Sequence, residues 1–142
     1  MASRPIIHVD IVSAEGEIFA GEAAMVFAPA SQGEVGIAPR HAPLLTLLKA
    51  GEVRVQTPDG EEHAFYVGGG VLEVQPAKVS VLADTALRAK DIDEAAALAA
   101  KQRAEEALKD RGAALDQAKA LAELAQAAAQ LKILERLRKV RG

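Results

Sequence analysis

The composition of this 142-residue chain breaks near residue 85, and that break constrains its fold more than any single motif does. All six prolines, all four aromatic residues, all three histidines and nine of the eleven glycines lie before it. From Asp91 to Arg141, sixteen of fifty-one residues are alanine and Gly112 is the single glycine. Alanine is the best helix former, while glycine and proline break helices. One chain therefore carries two architectures. The expected division is a β domain over 1–84, a linker over 85–90 and a helical hairpin over 91–142.

The first part alternates short β-branched segments with turn chemistry. IIHVDIV, AAMVFA, LLTLL, EVRVQT, EHAFYV, VLEVQ and KVSVLA have strand length and composition. AEGE, APASQG, KAG, TPDG, GGG and QPAK read as the turns between them. EVRVQ-TPDG-EEHAFYV is the clearest hairpin, and the set as a whole predicts a sandwich or flattened barrel. Gly68-Gly69-Gly70 lacks the Lys-Ser/Thr and the following helix of a phosphate loop, so a bulge or corner between strands is expected there.

The second part predicts two helices. Asp91 and Glu94 form a capping-box-like start, the first helix runs to about Arg111, and Gly112 is a natural stop. A second helix over about Ala114–Val140 must fold back on the first. Alanine spacing predicts a seam of Ala97, Ala100, Ala104 and Ala107 against Ala118, Ala122, Ala125 and Ala129. Leu121, Leu124, Leu131, Leu134 and Leu137 form a neighbouring stripe, either resting on the β domain or shared with an external partner. Such a hairpin is expected to stay helical when it detaches, as a movable arm.

Catalytic and metal chemistry is not legible. His8, His41 and His63 have no metal-ligand spacing, the chain has no cysteine, and the serines lack a nucleophile context. Glu61-Glu62 and Glu105-Glu106 read as solvated charges. The absence of cysteine fits a reducing compartment. Net charge is −3, which gives no argument for nucleic-acid binding, and no segment has the apolar length of a membrane span. Residues 132–142, KILERLRKVRG, carry five basic side chains against one acidic. The helix dipole accounts for one or two of these, and the rest fit a meeting with an acidic surface. GEVGIAPRHAPLL, residues 33–45, with its glycines, prolines and Arg40-His41 pair, is either a histidine-presenting loop or a rigid loop to be gripped.

Three stretches then carry a resemblance along nearly the whole chain: VDIVSAEGEIFAGEA at 9–23, QGEVGIAPRHAPLLTLLKAGEVRV at 32–55 and GGGVLEVQPAKVSVLADTALRAKDIDEA at 68–95. In this order, before an alanine-rich hairpin, they resemble the epsilon subunits of bacterial F-type ATP synthases. The resemblance implies a flattened β-sandwich of about ten strands and a C-terminal antiparallel two-helix hairpin. It implies a non-catalytic subunit of the central stalk, with no cofactor. Its sandwich would grip the gamma subunit and the c-ring, and its arm would inhibit ATP hydrolysis by reaching the alpha/beta catalytic head. It also implies a peripheral place on the cytoplasmic side of the inner membrane, reached only through the c-ring.

By the same resemblance, Glu34, Arg40 and His41 face the c-ring. Leu121, Leu124 and Leu131 pack on gamma, and Arg136, Arg138 and Lys139 meet acidic segments of the head. Some members bind ATP through Ile/Leu-Asp-x-x-Arg-Ala at the first helix. Here Ile92 and Asp93 are present, but Ala96 stands where the arginine belongs. Weak or absent nucleotide binding is expected, because the guanidinium that pairs with phosphate is missing. Two other readings stay open: a β-sandwich module with a helical adaptor in a different assembly, and an enzyme of unrecognised type.

Overall fold

Alternation of apolar and polar residues sets the strands of the first part. In the computed structural model, which describes residues 4–110 and 112–141, they are β1 (Ile7–Ser13), β2 (Gly16–Ala23), β3 (Met25–Ala30), β4 (Gly33–Ile37), β5 (Leu44–Gln56), β6 (Glu62–Gln75), β7 (Lys78–Ala83) and β8 (Ala86–Arg88). They hydrogen-bond in the order β2-β1-β7-β6-β5-β3-β4, with β8 added on β6. The β1–β7 pair is parallel. Residues up to Arg88 form one unit, and residues from Ala89 form a second.

Register explains the core. Ile11, Val81, Leu72 and Thr46 stand in one cross-strand row, and Val9, Val79, Val74 and Leu44 in the next. The same core cluster contains Val26, Ala28, Val53, Val55, Phe65 and Val67, which come from the other end of the sheet. One sheet therefore folds over on itself and closes a sandwich around aliphatic side chains. Each fully buried one is worth roughly 1.5–3 kcal/mol.

The fold-over also corrects the strand count. KAG and GGG, read as turns, lie inside the long strands β5 and β6. The inward positions of β5 are even-numbered up to Leu48 and odd-numbered from Val53, and those of β6 change from Phe65 and Val67 to Leu72 and Val74. A phase change in the alternation looks like a strand end in sequence, but the β5–β6 pairing continues across it, from Leu48↔Gly70 to Ala50↔Gly68. Eight continuous strands result, two of which serve both halves. Gly69 and Gly70 have positive φ at this corner, and a Cβ on Gly70 would lie 2.1 Å from the Leu82 carbonyl oxygen. No side chain fits there.

The 85–90 segment, expected as a linker, is ordered as well. β8 pairs with β6 in the register that β7 began, after an interruption at Asp84-Thr85 bridged by two backbone hydrogen bonds to Gly68 and Gly69. The Arg88 guanidinium donates to the Ile18 carbonyl at 2.6 Å and so ties β8 to β2. A 3-10 turn, Ala89–Asp91, follows.

The second unit holds α1 (Glu94–Lys109) and α2 (Ala114–Arg141), which pack on each other. The N-cap is Asp93, not Asp91: its side chain accepts from the Ala96 N–H at 3.0 Å. α1 ends at Asp110, before Gly112. There the Gln117 side-chain amide donates to the Ala107 and Asp110 carbonyls, a cap supplied from across the turn. Counting back along both helices from Gln117 and Ala107, Ala104 lies level with Ala120 and Ala97 with Ala127, and all four are buried. The seam on α2 therefore runs through Ala120, Leu124, Ala127, Leu131 and Leu134, not through Ala118, Ala122 and Ala125, which are exposed; of the other expected seam alanines, Ala129 is half-buried and Ala107 on α1 is exposed. A stripe that contains leucines buries more apolar area than one made of alanines alone, and it takes the interface.

Candidate interaction surfaces

β4 and the following loop hold the first group of expected site residues, and the structure separates them. Glu34 lies within β4 and accepts from both terminal nitrogens of Arg54, at 3.2 and 3.3 Å. Arg54 also approaches Glu52 and Glu62 at 3.6 and 3.8 Å and sits 4.6 Å over the Phe27 ring. Glu34 is thus committed to a clamp on the face of the sheet. Only residues 38–43 form the loop. Arg40 takes a left-handed backbone, φ 69°, and its N–H donates to the Pro76 carbonyl at 2.9 Å. His41 Nδ1 donates to the Ala42 carbonyl at 2.6 Å, so a neutral ring keeps Nε2 as an acceptor. Arg40 is exposed and His41 half-buried.

The β6–β7 turn that holds Arg40 also anchors β1, because the His8 N–H donates to the Ala77 carbonyl. Beside it, Asp10 accepts from Lys78 at 2.9 Å and pairs with His8 at 3.1 Å. The lysine is the main reason its carboxyl is held below the ordinary carboxylate range, against the opposing effect of burial. This end of the sandwich is built from turns held by backbone bonds, with Arg40 exposed beside the Asp10–Lys78 pair.

A second surface lies outside the expected set. Val12, Leu82, Val71 and Leu47 form one cross-strand row on the outer face of β1, β7, β6 and β5. Leu47 is 64% and Leu82 50% exposed, and neighbouring Leu45 is 70% exposed. In sequence the signal is available: LLTLL places leucine at both parities, so one set has to face outward. An aliphatic row three to four strands wide, with Glu73 and Ser80 in the adjacent row, offers a non-polar seat.

On the hairpin, Leu121 is 57% exposed, whereas Leu124 and Leu131 are half-buried on the seam. The basic residues near the end of α2 are partly engaged: Arg138 pairs with Glu94, and Lys139 with Glu135 one turn back at 3.3 Å. Arg136 is half-buried. Ile92 is buried, Asp93 is spent on the helix cap, and Ala96 is exposed with no donor to offer an anion. Among the described residues, no group of three or more His, Cys, Asp or Glu side chains could hold a metal ion, and no helix is long and apolar enough to cross a membrane.

Comparison with known proteins divides the chain within one residue of the boundary between the two units. Residues 6–89 match the family described as "ATP synthase, Delta/Epsilon chain, beta-sandwich domain", and residues 90–135 the one described as "ATP synthase, Delta/Epsilon chain, long alpha-helix domain". The chain is 69% identical to the ATP synthase epsilon chain of Nitrosococcus oceani, over 96% of its own length and 97% of that protein. It is 65% identical to that of Alkalilimnicola ehrlichii, over 94% and 95%. Among solved structures, a chain in the OSCP/F1/c-ring assembly of Euglena gracilis mitochondrial ATP synthase shares the fold. Its TM-score is 0.72 at 19% identity, covering 99% of this chain and 85% of that one.

Proposed function

The chain belongs to the ATP synthase delta/epsilon family, and on that premise we propose that it is the non-catalytic central-stalk subunit of a proton-translocating bacterial ATP synthase. Its sandwich anchors to the gamma subunit and the c-ring, and its hairpin restrains ATP hydrolysis by reaching the alpha/beta head. It acts peripherally, on the cytoplasmic side of the inner membrane, through the c-ring.

The observation that carries this proposal is the division of the chain into a closed sandwich and a separate hairpin unit. A rotor subunit has to transmit torque through one part while another changes place. The sandwich has the rigidity for the first task. Its loop, with Arg40 and His41 preset by the Pro76 and Ala42 carbonyls, loses little freedom on docking to the polar c-ring loops. The outer row of Leu45, Leu47, Val71 and Leu82 supplies the apolar area for gamma. Glu34 is left out of the contact because Arg54 already holds it. In the hairpin, Leu121 is available at once, while Leu124 and Leu131 reach gamma only after α1 and α2 part. Arg136, Arg138 and Lys139 then meet the acidic head. Moving such an arm from 1:99 to 99:1 needs about 5.5 kcal/mol of differential stabilisation, within reach of several leucines and three cations.

Truncation after Arg88 tests the proposal, since it keeps the Arg88–Ile18 tie and removes the whole hairpin. The reassembled motor is expected to retain the sandwich and to hydrolyse ATP faster than with the full chain. Unchanged hydrolysis would remove the inhibitory role, and failure of assembly would make the hairpin structural.

A further inference from the structure

We propose that Glu94 is an internal latch: its carboxylate holds the Arg138 guanidinium across the closed hairpin, and so competes with external acidic surfaces for the basic end of α2. The regulatory consequence rests on the inhibitory arm proposed above; the latch itself does not.

Helix geometry makes the contact specific. From the level pairing of Ala97 with Ala127, Glu94 lies level with residue 130, and Arg138 is eight residues further along α2. At 1.5 Å per residue that is about 12 Å of axial distance. Side chains on a helix tilt toward its own N-terminus. In an antiparallel pair, Glu94 therefore reaches past the start of α1 while Arg138 reaches back along α2, and the two meet across the gap.

Charge placement agrees. The N-terminus of α1 carries the positive end of the helix dipole and would repel a guanidinium. Glu94 and the capping carboxylate of Asp93 reverse that sign, and Asp93 is already committed to the Ala96 N–H. That leaves Glu94 as the partner. Meanwhile the segment 132–142 has five basic residues to one acidic, so an acidic partner surface and Glu94 seek the same end of α2. The pair is exposed, with 67% of the Arg138 side chain and 40% of the Glu94 side chain accessible. Solvent and salt weaken it accordingly, which suits a latch that must yield.

The chain has no cysteine, so Ala99→Cys and Ala128→Cys, both at exposed positions, can carry a pair of spin labels in the full chain without background labelling. Glu94→Gln should raise the population of long inter-label distances about threefold, the scale of an exposed ion pair. Raising salt should do the same to the unmutated latch and have little effect on Glu94→Gln. The charge swap Glu94→Arg with Arg138→Glu should restore the short distance, with helix content by circular dichroism unchanged throughout. Distances indifferent to salt and to Glu94→Gln would overturn the latch, and the salt series alone is decisive even where a variant folds poorly. In the reassembled motor, Glu94→Gln should deepen inhibition by a similar factor. A change in distance without a change in hydrolysis would leave the latch standing and sink the inhibitory reading instead.

Discussion

The sandwich and the hairpin solve the same problem, burying enough apolar surface to stay folded, with opposite materials. The sandwich buries Phe65 and a set of Ile, Val and Leu side chains completely, in rows that interlock from both halves of one folded sheet. The hairpin fully buries four alanines in facing pairs and one larger side chain of α2, Ile133, while Leu124, Leu131 and Leu134 are half-covered. A methyl group contributes roughly a quarter to a half of what a buried leucine does. High helix propensity lets the hairpin manage with that deficit, because its backbone bonds are local and survive separation. Two tasks, a fixed seat and a movable lever, thus map onto two ways of being stable.

The sharpest way to break the contrast is at Phe65 and Gly70. Phe65→Ala is expected to cost about 3–5 kcal/mol. Gly70→Val, which forces a side chain into the Leu82 carbonyl, should leave little folded sandwich by urea titration. Tolerance of both would mean that the core is not the source of the rigidity. Next in size, Arg88→Met removes the side-chain donor to Ile18 and should lower sandwich stability by about 1–3 kcal/mol, leaving helix content intact. On the other side, Ala104→Leu overfills the seam and should open the hairpin at a cost of about 1–3 kcal/mol, with no change in the denaturant midpoint of the sandwich.

How much of this contrast is legible in the sequence follows from what each element demands of its residues. The two architectures, the TPDG hairpin and the presence of two helices are visible because proline, glycine and alanine act locally, whereas the N-cap of α1 falls two residues later than the sequence suggests. The continuity of β5 and β6 is not, since a phase change at Gly68-Gly69-Gly70 reads the same as a turn until the partner strand is known. Alanine spacing misplaces the α2 seam, because leucine area decides it. Arg40 and His41 are legible as a loop pair. Glu34 is read together with them, while its Arg54 partner, twenty residues away on a different strand, leaves no local signal. Gln117 as a cap for α1 leaves no local signal, as its partners lie across the turn.

Smaller effects sharpen the picture. Asp10 is held below its ordinary value by Lys78, so its contribution is present above about pH 4 and is lost as pH falls through its folded value. Lys78→Met should therefore lower stability at neutral pH by less than about 1 kcal/mol and leave it nearly the same once Asp10 is protonated, which flattens the acid limb of the stability profile. Smallest of all, millimolar ATP should leave the amide spectrum of the isolated chain unshifted, because Asp93 is engaged as a cap and Ala96 offers no cation. Saturable micromolar binding would show that other residues rebuild an anion site.

Native-state hydrogen exchange on the full chain tests the division of stability most directly. Amides of Val53, Val55, Phe65 and Leu72 should exchange only through global unfolding, and those of α1 and α2 through a much cheaper opening that leaves the sandwich protected. Equal protection in both units, rising and falling together with denaturant, would contradict it.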